Sequence, residues 1–485
     1  MSIRVRYAPS PTGLQHIGGL RTALFNYLLA RSSGGSFILR IEDTDRERFD
    51  ERSLKDIYDT FDWFGIRWDE GPDIGGPFAP YIQSERVDRY RDHARKLVDA
   101  GFAYEAFDNA GELREAREDG KQGYEPVFRD MPEAEKQRYR DRGMKPVIRF
   151  RTPDEGSTEF EDLVLGRVKR KNKDIVTDPV LLKSDGFPTY HLAVVVDDHH
   201  MEISHVLRGQ EWVPTTGLHV LLYQAFGWES PRFCHLPMVL GKDGQKLSKR
   251  HGATSVIEFR NAGYLPEAVM NYLSRLGWSY DDSREFFSRQ DLETLFDVEK
   301  LSKSPAVFDY RKLDWYNGSY IREKNDNEIY NLILPFLVRK GLVSDPPDNA
   351  QEDTIRTAVP LIRERLRVLS DASDLLRFVL TDIGDWSVQD LVPKKTAVED
   401  VPEYLLRARD IIQDADVVSD EVLEERFRTV ADELGIKLGN LLMPLRVAVT
   451  GSTASPPLFG AIRLLGVEPS TRRIDACIEL LHQHT

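Results

Sequence analysis

Hydrophobic and polar positions alternate at the start of the chain, where Ile3, Val5 and Tyr7 are separated by Arg4 and Arg6, the two-residue period of a strand. The period then changes: Leu20, Ala23, Leu24, Tyr27 and Leu28 recur at the spacing that lines one face of a helix. A second strand is predicted from Ser36 to Ile41, after Ser32-Ser33-Gly34-Gly35 ends that helix. Helical spacing returns from Ser84 to Ala100, behind the turn-rich loop Gly71–Pro77. The stretch from about Gly111 to Gly143 is strongly polar and helix-forming, which marks it as an insertion. Val147–Arg151 and Glu159–Val168 read as strands, and so does Leu192–Val196, a continuous apolar run of the kind a strand buried on both faces carries. From about Asn325 only helical spacing remains, as in Ile329, Leu332, Ile333, Phe336 and Leu337, or Tyr404, Leu405, Ala408, Ile411 and Ile412. The pattern predicts an α/β region built on a doubly wound parallel sheet, with an insertion, followed by a long all-α region.

Candidate chemistry sits at the ends of these strands. Between the first strand and first helix runs Ala8-Pro9-Ser10-Pro11-Thr12-Gly13-Leu14-Gln15-His16-Ile17-Gly18-Gly19. Such a turn aims unpaired backbone N–H groups and the positive end of a helix dipole at the space above the sheet, which suits a phosphate. Gly18 and Gly19 leave room for a ligand against the backbone, and Thr12 and His16 add donors. The second strand delivers Glu42-Asp43-Thr44-Asp45 to the same side, either as a solvated cluster or as a partner for a cationic ligand group. Arg6 and Arg208 fall at strand ends facing one crevice; two guanidinium forks there suit a carboxylate, and ordinary ion pairs with Glu42 or Asp45 are the plain alternative. Gly241-Lys242-Asp243-Gly244-Gln245-Lys246-Leu247-Ser248-Lys249-Arg250-His251-Gly252 reads as a mobile cationic loop. Arg167, Lys169, Arg170, Lys171 and Lys173 form the densest basic run, a solvated hairpin or a contact for RNA phosphates. Asp197-Asp198-His199-His200 invites a metal-site reading, but neighbours on an extended segment point apart and no third ligand recurs, so a polar turn over the sheet is preferred and no metal is assigned.

Together these segments resemble the class I aminoacyl-tRNA synthetases of the glutamyl branch. Pro-Ser-Pro-Thr-Gly-x-x-His-Ile-Gly-Gly is similar to the family's His-x-Gly-His signature with Gly19 in fourth place, and Lys-Leu-Ser-Lys-Arg to its Lys-Met-Ser-Lys-Ser loop. The resemblance implies a Rossmann-like catalytic domain in two halves, 1–108 and 186–240, split by an α+β acceptor-stem-binding domain at 109–185. A lysine-loop and stem-contact domain at 241–324 and an all-helical anticodon-binding region at 325–485 follow. It implies ATP-dependent formation of glutamyl-adenylate, usually only with tRNA bound, and transfer of the acyl group to the tRNA 3′ end. His16, Gly18, Gly19, Lys246 and Lys249 would be catalytic. Arg6, Tyr190 and Arg208 would hold the glutamate side-chain carboxylate, and Ala8, Ser10 and Glu42 its amino end. Thr12, His16, Gly18, Gly19, Trp212, Leu247 and Lys249 would bind ATP, with Mg²⁺ arriving on the triphosphate. Some members fix a zinc in the insertion; Tyr104-Glu105-Ala106-Phe107 stands where those cysteines would start, so no structural zinc is expected. Val194 replaces an Asn found in some members. Lys312-Leu313-Asp314-Trp315-Tyr316-Asn317 matches a segment the family lays against the tRNA stem, although its aromatic residues read mainly as core. The partners implied are tRNA(Glu), L-glutamate and ATP; whether tRNA(Gln) is also charged stays open.

Composition narrows the remaining choices. The chain has 485 residues, 41% hydrophobic and 30% charged, as a multi-domain globular protein should. Its net charge of −14 argues against indiscriminate nucleic-acid coating and leaves room for a local basic track. No apolar run reaches the roughly 20 residues that cross a bilayer, and Met-Ser-Ile-Arg-Val-Arg leads straight into a strand, so a cytoplasmic protein is expected. Cys234 and Cys477 match neither a disulfide framework nor a zinc motif. No amphipathic seam points to obligate assembly, which favours a monomer. A shortened relative that glutamylates a tRNA base would lack the lysine loop and the helical half, and a non-catalytic tRNA-binding protein would have lost His16, Lys246 or Lys249.

Overall fold

The computed structural model describes residues 2–108 and 125–484; the part of the polar stretch at 109–124 lies outside them. The chain forms two compact units, one of Met1–Arg260 with Val269–Asp309 and one of Asn261–Ala268 with Tyr310–Thr485. Among the described residues no helix is long and apolar enough to cross a membrane.

In the first unit the strand Arg4–Tyr7 runs parallel to Ser36–Leu39, Arg6 opposite Ile38, and the helix Ile17–Ser32 makes the crossover. Gly35 closes the return: a Cβ there would stand 2.2 Å from the Ile3 carbonyl, so only glycine fits. A second sheet has the order Gly166–Lys171, Ser157–Asp162, Arg232–Leu236, His205–Gly209, with the last two strands parallel in register and the first two an antiparallel hairpin. Ser204 N donates to the Arg4 carbonyl at 3.0 Å, so the strand that follows it starts beside the first strand of the chain. Ala103–Ala106, ahead of the expected insertion, forms an antiparallel sheet with Val147–Phe150 and Val180–Leu182, and Glu133–Asp141 is a helix.

Leu192–Val196 is not a strand. It lies within the helix Tyr190–His200, and Leu192 to Asp198 are all buried. A continuous apolar run fits a helix covered on every side as well as a strand covered on two faces; here the stretch from Tyr190 to His200 is eleven residues long and the helix wins. Asp197, Asp198, His199 and His200 therefore form that helix's last turn rather than a polar turn over the sheet. The helix Val213–Phe226 is likewise buried from Thr216 to Tyr223, so it is not amphipathic.

The second unit is helical throughout, with Asp326–Arg339, Asn349–Ile362, Asp371–Leu380, Val401–Ile412, Asp420–Glu433, Leu438–Thr450, Leu458–Leu465 and Val467–His482 as its main elements. Asn325 opens the first of these with a reciprocal cap to Glu328, and Pro402 sits in the first turn of another, where its missing N–H costs nothing. Two cores result, one around Ile333, Leu337 and Val359, the other around Leu405, Leu445 and Ile474. Of the aromatics in Lys312–Asn317, Tyr316 is core, whereas Trp315 is 48% exposed.

Candidate active site

His16 caps the helix Ile17–Ser32 with its own ring: Nδ1 accepts from Gly18 N at 3.0 Å. That bond puts the remaining ring proton on Nε2, which becomes a donor. Burial, helped by the charge of Lys246 and opposed by Glu258, pushes the His16 pKa down, so the ring is neutral at pH 7. A Cβ on Gly19 would stand 2.9 Å from the Tyr7 hydroxyl, which itself donates to Gln15 Oε1 at 2.7 Å. The glycine is thus needed by the protein's own packing.

The segment after the lysine loop is stitched onto this turn. Ile17 N donates to the Thr254 carbonyl at 2.8 Å, Val256 N to the Gln15 carbonyl at 2.9 Å, and His16 faces Ser255 across an isolated bridge. Within the loop, buried Leu247 anchors the chain through its N–H to Val239, and Gly244 turns with φ +74°. Lys246 extends toward Glu211 at 3.6 Å. Both segments line one cavity of about 1240 Å³. It also takes in Arg6, Ala8, Ser10, Gly18, Gly19, Glu42, Tyr190, Arg208, Trp212, Leu247 and Lys249. Thr12, exposed on the turn, is not among its lining residues, so the structure does not bring it to the predicted nucleotide site.

The floor of the cavity is a buried charge array that differs from the ion pairs the spacing suggests. Arg6 pairs with neither Glu42 nor Asp45; Nε and Nη2 donate to Asp198 Oδ1 and Oδ2 at 3.0 and 3.3 Å. Arg40 donates to Asp198 at 2.8 Å and to Glu42 at 3.1 Å, and Arg86 to Asp197 at 2.7 Å. Burial opposes the Asp198 charge, yet Arg6 and Arg40 together hold its carboxyl below the usual range. Burial raises the Glu42 carboxyl against the pull of the same two arginines. Arg208 is arranged differently: it donates to His235 Nε2 (3.1 Å), Tyr190 Oη (3.2 Å), His219 Nδ1 (3.2 Å) and Thr216 Oγ1 (2.8 Å), all neutral. Asp197, Asp198 and Glu42 thus meet Arg6, Arg40 and Arg86 directly, whereas no carboxylate touches Arg208; buried Asp162 reaches it only through His235. The Tyr190 ring packs on Trp212 with centroids 4.4 Å apart.

The family model for the catalytic domain of class I tRNA synthetases (E and Q) matches residues 2–315, and one for an anticodon binding domain matches 328–478. Glutamate–tRNA ligases from Treponema denticola and Borreliella burgdorferi are 49% and 48% identical, each alignment covering 99% of both chains. The chain belongs to the glutamate–tRNA ligase family. A crystal structure of a glutamate tRNA ligase from Elizabethkingia meningosepticum in complex with its amino acid superposes with a TM-score of 0.80 at 34% identity, over 99% of this chain and 100% of that one.

In this member of the glutamate–tRNA ligase family the sequence signals missed the arginine network's own partners. Arg40 could have been found, because a charge inside Ile38-Leu39-Arg40-Ile41 contradicts an apolar buried strand. Asp198 could not, since reading its segment as extended hid its direction. Arg21, another lining residue, is buried and donates to the Pro237 carbonyl at 2.7 Å; burial lowers its pKa to about 10. Asp43 holds Arg46 at 2.7 Å and caps Ser84 N, and Asp45 holds Arg48, so the acidic cluster beyond Glu42 is committed locally. In the basic hairpin Arg167 and Lys169 both fold onto Glu159. Among the described residues no group of three or more His, Cys, Asp or Glu is placed to hold a metal, and both cysteines are free and buried.

Proposed function

We propose that this cavity joins L-glutamate to ATP as glutamyl-adenylate and then passes the glutamyl group to the 3′ end of tRNA(Glu), the reaction for which the chain's family is named. One observation carries the reading: the two signature segments, more than 200 residues apart, share one cavity whose buried floor holds Arg208, an arginine that no carboxylate touches. Glutamate brings a carboxylate into direct contact with Arg208, whereas glutamine leaves that guanidinium with neutral partners only.

The chemistry demands positioning more than proton transfer. A carboxylate oxygen of glutamate attacks the α-phosphorus, the bond to the bridging oxygen breaks, and pyrophosphate leaves with the electron pair. Neutral His16 offers Nε2–H, and the N-terminus of its helix offers backbone N–H groups, to charge growing on the α-phosphate side. Lys246 and Lys249 supply the charge that gathers the leaving phosphates. Arg208 and Tyr190 take the side-chain carboxylate, while Ala8, Ser10 and Glu42 lie where the amino end would be held. Arg6 contributes through Asp198, as part of the frame. Mg²⁺ would enter on the triphosphate and shield its oxygens; the described residues offer no carboxylate set of their own for it, and no step is assigned to one.

ATP–pyrophosphate exchange tests the proposal. Exchange should depend on glutamate and be stimulated by tRNA, with glutamine at least about 100-fold poorer in kcat/KM. Exchange supported only by another amino acid overturns it. Charging of tRNA(Glu) and tRNA(Gln) side by side then defines the tRNA range.

A further inference from the structure

Arg208 touches only neutral groups, and their hydrogen-bond directions form a chain anchored at Asp162. Asp162 ends the strand Ser157–Asp162; its Oδ1 accepts the N–H groups of Val164 and Leu165 at 3.0 and 2.9 Å. Its Oδ2 accepts His235 N at 3.1 Å and faces His235 Nδ1 at 2.6 Å, and both side chains are fully buried. Nδ1 must then carry the imidazole proton, leaving Nε2 as the lone-pair nitrogen that takes Arg208 Nε–H. On the other side His219 Nδ1 accepts from Arg208, so its proton lies on Nε2, which faces His191 Nδ1 at 3.1 Å. Thr216 Oγ1 accepts from Arg208 Nη2, and its hydroxyl proton has two acceptors in reach, the Trp212 carbonyl at 2.9 Å and the His235 Nε2 lone pair at 3.0 Å. The rings of Trp212 and Phe233 lie 5.9 and 5.8 Å from the guanidinium carbon. Every neighbour that orients Arg208 is therefore neutral.

We propose that Asp162 and His235 are positioning residues for substrate selection: the Asp162 carboxylate fixes the His235 proton on Nδ1, so Nε2 aims Arg208 at the substrate's side-chain carboxylate while the ring keeps Asp162 out of direct contact with the guanidinium. The inference rests on the reading of this cavity as the glutamate site. A carboxylate in place of His235 would orient the arginine equally well and cancel the charge that distinguishes glutamate from glutamine. An imidazole with its proton on Nε2 would set N–H against N–H and turn the fork aside. Asp162 does not line the cavity, so its effect on substrate passes through the ring.

Asp162→Asn tests this directly. The N–H groups of Val164 and Leu165 keep the amide oxygen in the Oδ1 place, so the amide NH₂ faces His235 and drives its proton to Nε2. Glutamate KM in tRNA-stimulated exchange should rise about tenfold or more while ATP KM stays within about twofold. The ¹⁵N spectrum of the His235 ring should switch tautomer in the full-length protein. His235→Gln, whose amide oxygen reaches the Nε2 place, should keep glutamate KM within about threefold, whereas His235→Ala should raise it as Asp162→Asn does. An unchanged glutamate KM in Asp162→Asn, or glutamate and ATP KM rising together, overturns the positioning role. Wild-type protein that shows no glutamate-dependent exchange overturns the pocket assignment instead, before any variant is made.

Discussion

The two walls of the cavity handle charge in opposite ways. On the floor Arg6, Arg40 and Asp198 are buried, meet through several direct bonds and have no freedom to rearrange. On the roof Lys246 is 66% exposed and reaches a 47% exposed Glu211 at 3.6 Å, from a loop turned by glycine. Fixed, desolvated charges discriminate, because an unmatched ligand leaves one of them buried and unpaired. Exposed charges on a flexible loop suit the leaving group, because they can follow phosphates that move during the reaction. On the proposed reading specificity and catalysis are separable in this cavity, and a substitution on one wall should leave the property carried by the other in place.

The largest effect is expected on the floor. Asp198→Ala strands Arg6 and Arg40 in a dry site and should cost about 3–5 kcal/mol of stability, read from denaturant unfolding, with glutamate-dependent exchange lost as well. On the roof Lys249→Ala should slow single-turnover adenylate formation about 100-fold, equivalent to about 3 kcal/mol of transition-state stabilisation, while unfolding shifts by less than about 0.5 kcal/mol. If Lys249→Ala destabilised the fold as much as Asp198→Ala does, the distinction between the walls would be wrong.

How much of this was legible in the sequence follows the same division. The roof and the turn are short, ordered motifs whose glycines, lysines and capping histidine are contiguous, so the sequence placed Gly18, Gly19, Lys246 and Lys249 at the cavity before any fold was known. The floor is assembled from residues far apart, Arg6 with Asp198 and Asp162 with His235, and pairing at a distance leaves no local pattern. One local signal also misled: Leu192–Val196 is β-branched and apolar enough for a buried strand, and tertiary burial made it a helix. That error turned Asp198 toward a surface turn and hid the anion that holds Arg6.

Acid should loosen the buried imidazoles next. Burial lowers His191 and His200 from the ordinary value to about 4, with Arg208 adding to the effect on His191. Between that value and about 6.5 the unfolded chain binds protons that the folded chain refuses, so stability falls as pH falls. About 1.4 kcal/mol per pH unit is the ceiling for a fully buried ring across that window, and half-buried His191 falls below it. Partly exposed His200 gives less. Melting temperature should drop between pH 7 and pH 5, and His191→Gln should flatten the decline. A curve as steep in that variant as in wild type would remove His191 from the explanation.

The smallest effect tests whether the roof is as loosely held as its exposure implies. Glu211→Gln removes the anion beside Lys246 and keeps the side chain's shape. Because both partners are largely solvated and their nearest atoms are 3.6 Å apart, the pair is worth about 0.5 kcal/mol or less, and the midpoint of unfolding should hardly move. Lys246, freed of a competing carboxylate, should meet the triphosphate slightly better, so ATP KM should fall by up to about twofold while glutamate KM stays put. The gain should shrink further at high ionic strength, where wild type and variant converge. A glutamate KM that moved instead would mean that Glu211 reports to the floor, and the two walls would have to be treated as one electrostatic unit.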